Sequence, residues 1–204
     1  MTGCKKYKKK CKKNNNRFQA FAAIIHATGA RPSEIKKENG VHIKVLETEF
    51  LVKIKSSKHD DSQKGQKYRY LYIKKDSISG NFLKGYIDEN EINEIYNFDF
   101  GDDVSIDAFA KAYKRAAIKA LGTTKGKKIS LYSVRHQIAA NLKKAGFDKE
   151  QIALALGHQS DRSQEHYGHW GQGGAGGGLV KAEGTNKVRM HSAEVEPDPG
   201  PAPR

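Results

Sequence analysis

Two consecutive amphipathic segments, separated by only a few residues, constrain the fold of this chain more than any other feature. The first, residues 132–146, stops at Gly146 and carries apolar side chains along one helical stripe: Val134, Ile138, Leu142 and Ala145. The second starts at Asp148, has Gln151 three residues later in a capping-box pattern, and stops at Gly157. The sequence therefore predicts two short helices in succession, each with one face to bury.

Strand-like patterns precede this helical pair. Residues 41–57 and 67–75 are rich in β-branched and aromatic side chains. Val52 and Ile54 alternate with lysines, and tyrosines occupy every second position of the later segment: Tyr68, Tyr70 and Tyr72. We interpret the tyrosine stripe as a packing or edge face of a sheet, and the polar residues 57–66 as an exposed hairpin loop.

Further helical patterns cover residues 17–29 and 105–122. A last short helix is predicted to start at Ser160 and to carry Tyr167, whereas residues 76–100 show no clear pattern. Together these patterns predict an α+β fold that is mostly helical, with a small antiparallel β-sheet near its N-terminal part.

Composition divides the chain into three parts. Residues 1–16 form a basic low-complexity arm with nothing to bury. Residues 17–170 are long enough for one ordinary hydrophobic core. Residues 171–204 begin with a Gly-rich run, end in a Pro-rich one, and are predicted to be a disordered tail.

The net charge of +14 indicates a polyanionic partner. Seven lysines lie in residues 1–13, yet residues 14–170 still carry seven positive charges in excess. The two cysteines, Cys4 and Cys11, lie within the lysine run, which excludes a disulfide framework and a thiolate zinc site. The sequence lacks a signal-peptide core and any apolar run near the roughly 20 residues of a membrane span, so a soluble, cytoplasmic protein is expected.

The side chains needed to attack a DNA phosphodiester without a metal stand at predicted helix ends. Arginine suits the phosphate oxygens because its planar fork binds two of them and stays charged. Arg31 follows the first helix, and Arg135 is predicted to lie in the first turn of a later helix, where backbone N–H groups also favour an anion. His158 can donate a proton, and Tyr167 is a candidate nucleophile that cationic neighbours would help to ionise.

These residues stand in motifs that resemble the catalytic domain of the tyrosine recombinases, the phage integrase family. The first family box, T-G-x-R-x-x-E, is matched by Thr28, Gly29, Arg31 and Glu34. The second box, H-x-x-R-H followed by two helices and L-G-H, is matched by Arg135, His136, Gly146, Leu156, Gly157 and His158. Tyr167 follows His158 by nine residues, as the family's nucleophile does. The resemblance covers about residues 17–170.

The resemblance implies site-specific cleavage and rejoining of double-stranded DNA. Arg31, Arg135 and His158 would hold the scissile phosphate, while Tyr167 would form a 3′-phosphotyrosyl bond and a hairpin lysine would protonate the leaving 5′-oxygen. Neither a metal nor ATP nor another cofactor is required. The resemblance also implies a homotetramer on paired sites, working at the nucleoid in the cytoplasm of a cell that hosts a virus or plasmid.

Some positions depart from the family pattern. Tyr132 stands where the family usually has histidine or lysine, and a phenol brings no charge. Lys58 is our preferred catalytic lysine, with Lys55 and Lys64 as rivals. Only a basic arm stands where most relatives have an N-terminal helical domain. An isolated catalytic domain, a truncated form of a longer recombinase and a remnant of a mobile element would each fit, and we expect weak, unspecific DNA binding. The expected DNA contacts are Arg31, Lys58, Lys64, Lys67, Arg135 and His136.

Three alternatives stay open. A DNA-binding module on the same fold would bind without cleaving. A metal site could be built from histidines alone: His158, His166 and His169. A general RNA-binding protein could use the tyrosine stripe for base stacking, although the common RNA-binding signatures do not occur.

Overall fold

The computed structural model describes residues 17–60, 65–102, 104–164, 166–174 and 177–191. The helices are α1 (Arg17–Thr28), α2 (Ile78–Lys84), α3 (Ile106–Gly126), α4 (Leu131–Lys144) and α5 (Lys149–Leu156). Three 3₁₀ turns are η1 (Pro32–Ile35), η2 (Asp161–Gln164) and η3 (Trp170–Gln172). The strands are β1 (Val41–Val45), β2 (Glu49–Lys55), β3 (Tyr68–Lys74), β4 (Ile95–Phe98) and β5 (Leu179–Gly184). The predicted α+β class, with its small antiparallel sheet, is confirmed.

The sheet is antiparallel throughout, in the order β4-β1-β2-β3-β5. One face is buried against the helices because every second residue of each strand is apolar: Val41, Ile43, Val45, Phe50, Val52, Ile54, Leu71 and Ile73. Arg69 shares this inner face and is fully buried. The tyrosine stripe Tyr68–Tyr72 therefore lies on the opposite, solvent-facing side of a strand that is paired along both edges. Its interpretation as a packing or edge face was wrong.

The helix ends follow the local signals in the sequence. Ser105 caps α3 by accepting hydrogen bonds from the backbone of Asp107 and Ala108. Asp148 caps α5 through the backbone N–H of Gln151, at 2.7 Å. Gly157 ends α5 at a φ of +69°, a conformation that other residues adopt only with strain. Among the described residues no helix is both long and apolar enough to cross a bilayer.

The predicted disorder of residues 171–204 is wrong for the segment Leu179–Gly184, which forms β5 on the edge of β3. Ala182 in this strand is buried, and its backbone exchanges two hydrogen bonds with the side chain of Gln151. The preceding glycines are needed because a Cβ at Gly178 would lie 1.9 Å from the hydroxyl oxygen of Ser77. The overall composition of residues 171–204 did not indicate this short strand. The glycines that precede it allow the backbone to pass close to Ser77, so that the strand can pair with β3.

The predicted helix from Ser160 is also wrong in extent. The 3₁₀ turn Asp161–Gln164 ends before Tyr167, which lies in an irregular segment. The start of this segment is bound to the chain beyond β5, because Asp161 accepts hydrogen bonds from the backbone and ring of His191, at 3.1 and 2.6 Å. Tyr167 is therefore carried by a connection rather than by a rigid helix.

Candidate active site

Arg135, His158 and Tyr167 come together although they lie far apart in the chain. Arg135 Nη2 lies 3.3 Å from His158 Nε2. The Tyr167 ring centroid is 5.2 Å from that of His158 and 5.4 Å from the guanidinium carbon of Arg135. His136 stacks on the Tyr167 ring at 4.9 Å. A phenol thus lies beside a buried cation and two imidazoles.

Arg135 is held by the C-terminal ends of two helices. Its guanidinium donates to the carbonyl of Gly29, at 2.8 Å, and to the carbonyl of Leu156. Because Ser130 is the N-cap of α4, Arg135 is the fifth helical residue, and its predicted position in the first turn was wrong. The side chain, only 1% exposed, offers charge to the site without help from free backbone N–H groups.

A buried carboxylate ties two further arginines to the site. Glu34 accepts from the backbone and the guanidinium of Arg31, each at 2.7 Å. It also accepts bidentate hydrogen bonds from the guanidinium of Arg69 in β3, at 3.0 and 2.8 Å. Burial alone would raise the pKa of Glu34, but the neighbouring charges of Arg69, Arg31 and Arg135 and the Arg69 hydrogen bond lower it to about 2. The cluster therefore keeps a positive excess that suits an anion.

Sequence reasoning missed Arg69. It is fully buried and reaches Glu34 from the inner face of β3. The alternation of the strand could have indicated that Arg69 is buried, because Arg69 lies on the same side of the strand as Leu71 and Ile73, which are both core residues. A charged residue on an inward position requires a buried partner.

His158 is neutral at physiological pH. Burial, reinforced by the charges of Arg135, Arg31 and Arg69, lowers its pKa to about 3. Its Nε2 accepts from Arg135, which places the proton on Nδ1. Within the described residues that buried Nδ1 has no hydrogen-bond partner. His158 is thus prepared to donate one hydrogen bond without titrating near neutral pH.

The segment that follows Tyr167 is docked on α4, the helix that carries Arg135. Lys143 Nζ donates to the carbonyls of Tyr167 and Gly168, at 2.6 and 2.8 Å. Further along, Gln137 donates to the carbonyl of Gln172, at 2.9 Å. These contacts fix the position of the backbone that carries Tyr167, and no sequence pattern indicated this role for Lys143.

Replacing Lys143 with methionine should slow any reaction of Tyr167 by about tenfold or more, because two hydrogen bonds from a charged donor to the tyrosine's own backbone are lost. The rate of covalent trapping on DNA is the measurement. Lys144→Met is the matched control, since Lys144 is the exposed neighbour. Equal rates for the two variants would contradict the docking role of Lys143.

The β2–β3 connection is fastened beside His158. The backbone N–H of Gln66 donates to the carbonyl of Gly157, at 3.2 Å, and its side chain to the carbonyl of His158, at 3.1 Å. Lys58 and Lys67, at the two ends of this connection, are both exposed. These bonds place Gln66, at the end of the connection, at the edge of the site.

Other predicted residues are not brought into the cluster. Tyr132 is 52% exposed. Within the described residues no hydrogen bond or ring contact joins Tyr132 or Lys58 to the cluster of Arg135, His136, His158 and Tyr167. Lys64 lies outside the described residues. In the part of the chain that the structure describes, no three His, Cys, Asp or Glu side chains form a group able to hold a metal ion, so the three-histidine hypothesis has no site there.

A family model described as the phage integrase family matches residues 4–172, which is most of the chain. No curated protein and no solved structure matches the chain.

Proposed function

This chain belongs to the phage integrase family, and we propose on that premise that it is a site-specific recombinase that cuts and rejoins DNA through a 3′-phosphotyrosyl intermediate. Membership itself indicates a DNA-binding protein of DNA recombination and integration. The observation that carries the finer proposal is the contact of the Tyr167 ring with buried Arg135 and His158.

In the proposed cleavage step, the phenol of Tyr167 releases its proton to solvent water, and its oxygen attacks the scissile phosphorus. The bond from phosphorus to the 5′-oxygen breaks, and a bond from phosphorus to the tyrosine oxygen forms, so the number of phosphoester bonds is unchanged. The departing 5′-oxygen takes a proton from a lysine of the β2–β3 connection, for which Lys58 is our candidate. Attack by a 5′-hydroxyl on the phosphotyrosine reverses the step and rejoins the strands.

The buried cations supply the charge that this step needs. The transition state concentrates negative charge on the non-bridging phosphate oxygens, and fixed guanidinium groups stabilise it most where water is excluded. Arg135 is 1% exposed and Arg31 6% exposed. The neutral His158 would add a hydrogen bond from Nδ1 to the same oxygens.

The surrounding surface would hold the duplex. We propose phosphate contacts by His136, Lys58, Lys64 and Lys67, which would make affinity fall as salt rises. Assembly as a tetramer on paired sites is part of the same proposal. We also extend the proposed catalytic domain beyond residue 170, because β5 completes its sheet.

A nicked suicide DNA substrate, incubated with the protein in EDTA and resolved on a denaturing gel, tests the proposal. We expect a covalent protein–DNA band that disappears in Tyr167→Phe, because the phenylalanine ring fills the same space but lacks the nucleophilic oxygen. A band that persists in the variant, or that EDTA abolishes, would contradict the tyrosine mechanism.

A second candidate function is DNA binding without cleavage. The exposed, uncharged Tyr132 favours it, since the family usually places a histidine or lysine there. A mobility shift without a covalent band on the same DNA would support this function. Restoring the band with Tyr132→His would show that the missing cation is the cause.

A further inference from the structure

The outer face of the sheet takes no part in the site. Strand β3 alternates between its two sides: Arg69 points into the core and binds Glu34, whereas Tyr68, Tyr70 and Tyr72 lie on the outer face. The register continues this outer face onto β2, where Lys53 lies opposite Tyr70 and Lys55 opposite Tyr68. The thickness of the sheet therefore separates the tyrosines from the candidate active site.

On this face two of the three tyrosine rings, those of Tyr68 and Tyr72, are paired with ammonium groups. Lys53 Nζ lies 4.6 Å from the centroid of the Tyr68 ring, and Lys181 Nζ lies 4.2 Å from that of Tyr72. Each contact is a cation–π interaction between neighbouring strands. The hydroxyl of Tyr72 also donates to Glu183, at 3.3 Å. These contacts hold the rings of Tyr68 and Tyr72 in position, and all three tyrosines are half-buried rather than covered.

The strand residues of the outer face carry a positive excess. Five lysines project there: Lys44, Lys53, Lys55, Lys74 and Lys181. Two glutamates oppose them: Glu49 and Glu183. Glu183 is already paired with Lys181, at 2.8 Å, and Glu49 lies opposite Lys74 in the register. Of the lysines that remain, Lys53 and Lys55 lie directly opposite Tyr70 and Tyr68. Lys44 lies one strand further away, opposite Leu51 of β2.

We propose that this tyrosine–lysine face, Lys44, Lys53 and Lys55 with Tyr68, Tyr70 and Tyr72, binds single-stranded nucleic acid. Alternate residues of a strand stand about 6.8 Å apart, which presents the rings as a row beside a row of cations. Such a surface lets bases stack on the rings while phosphates meet the lysines. In a duplex the base faces are already stacked on one another, so the rings would contribute little to its binding.

This proposal goes beyond the cleavage function and does not depend on it. The chain would hold a separated strand on one side of the sheet while the other side supports Arg69 and the catalytic cluster. An acidic peptide is the competing occupant, since it would satisfy the lysines. It would make no use of the ring faces, and the tyrosine variants below separate the two.

The test is fluorescence anisotropy of the full chain with a labelled oligo(dT) of about 15 nucleotides. Tyr70→Ala should weaken binding at least fivefold, because the loss of one stacking ring is expected to cost that much. Tyr70→Phe keeps the ring and should bind like the wild type. Lys53→Gln/Lys55→Gln should weaken binding and flatten its salt dependence, unlike the matched exposed pair Lys119→Gln/Lys128→Gln.

Circular dichroism shows that each variant is folded, and formation of the covalent band on the suicide substrate confirms it for the tyrosine variants, whose side chains lie on the face opposite Arg69. Unchanged affinity of a folded Tyr70→Ala chain would overturn the proposal. So would full competition by an equal concentration of unlabelled duplex, which would indicate one shared surface, or by polyglutamate, which would indicate an acidic-peptide surface. Loss of oligo(dT) binding in Tyr70→Ala with the covalent band intact would support it, whereas absence of the band in every variant would count only against the cleavage function.

Discussion

Replacing Glu34 with glutamine is expected to lower the free energy of unfolding by about 3 to 5 kcal/mol. Glu34 is fully buried and is the shared partner of Arg31 and Arg69, themselves 6% and 0% exposed. A neutral amide leaves two buried guanidinium groups without a countercharge. The free-energy cost of these unpaired buried charges is larger than the cost of the lost hydrogen bonds. Chemical denaturation at pH 7 measures the change.

The same carboxylate makes stability depend on pH. The pKa of Glu34 lies near 2 in the folded chain and near 4.5 when unperturbed. Because the folded pKa is the lower one, its contribution of about 3 kcal/mol is present above pH 4.5 and is lost as the pH falls toward 2. The difference in unfolding free energy between wild type and Glu34→Gln should therefore be constant near neutrality and shrink below pH 4.5.

Two further variants identify the cause. Glu89→Gln breaks a half-exposed pair with Lys84 and should cost less than about 1 kcal/mol. Adding Arg69→Met to Glu34→Gln removes one unpaired cation and should recover part of the lost stability. If Glu34→Gln were no less stable than Glu89→Gln, the buried carboxylate would not be the centre of this site.

Replacing Gly168 with alanine is expected to reduce the rate of covalent trapping at least a hundredfold. A Cβ at this position would lie 2.2 Å from the carbonyl oxygen of His136 and 2.8 Å from the backbone nitrogen of Ala140, and the φ of +47° adds strain. Both obstacles are backbone of α4, so the segment itself must move. A displacement of about 1 Å at the adjacent Tyr167 is enough for a loss of this size.

Gly174→Ala is the matched control for this segment. Its Cβ would be 3.7 Å from the nearest atom, the side-chain oxygen of Asn141, which is ordinary contact. DNA affinity by mobility shift should be unchanged in both variants, because neither removes a charge. Trapping by Gly168→Ala at the rate of Gly174→Ala would show that the tyrosine reacts from a position other than the one docked on α4.

Local signals account for much of the fold. The N-cap at Asp148 and the stop at Gly157 were predictable because a cap is satisfied within a few residues of the chain. The strands β1, β2 and β3 were predictable because alternation reports which side of a strand is buried. The positions of Arg31, Arg135, His158 and Tyr167 followed from motif spacing, and the structure brings Arg135, His158 and Tyr167 into contact.

Other features depended on contacts between distant segments. The strand β5 exists because Leu179–Gly184 pairs with the edge of β3, which lies more than a hundred residues earlier in the chain. The composition of a segment does not predict a pairing over such a distance. In the sequence, the role of Lys143 could not be told from that of its neighbour Lys144. Only the docking of the Tyr167 segment on α4 brings a backbone carbonyl within reach of Lys143. The orientation of the tyrosine stripe also needed the sheet, because β3 carries tyrosine rings on one side and Arg69 among the apolar residues on the other, so its alternation is ambiguous.

The sequence by itself determined the α+β class, most helix ends and the family. These depend on helix caps, strand alternation and family motifs, which are patterns of residues at short and regular spacings in the chain. Only the tertiary structure decided the partners of the charged groups: Arg69 for Glu34, Leu156 and Gly29 for Arg135, and Lys143 for the backbone of Tyr167. The physical reason is that a buried charge is stabilised by whichever group the fold brings within hydrogen-bonding distance.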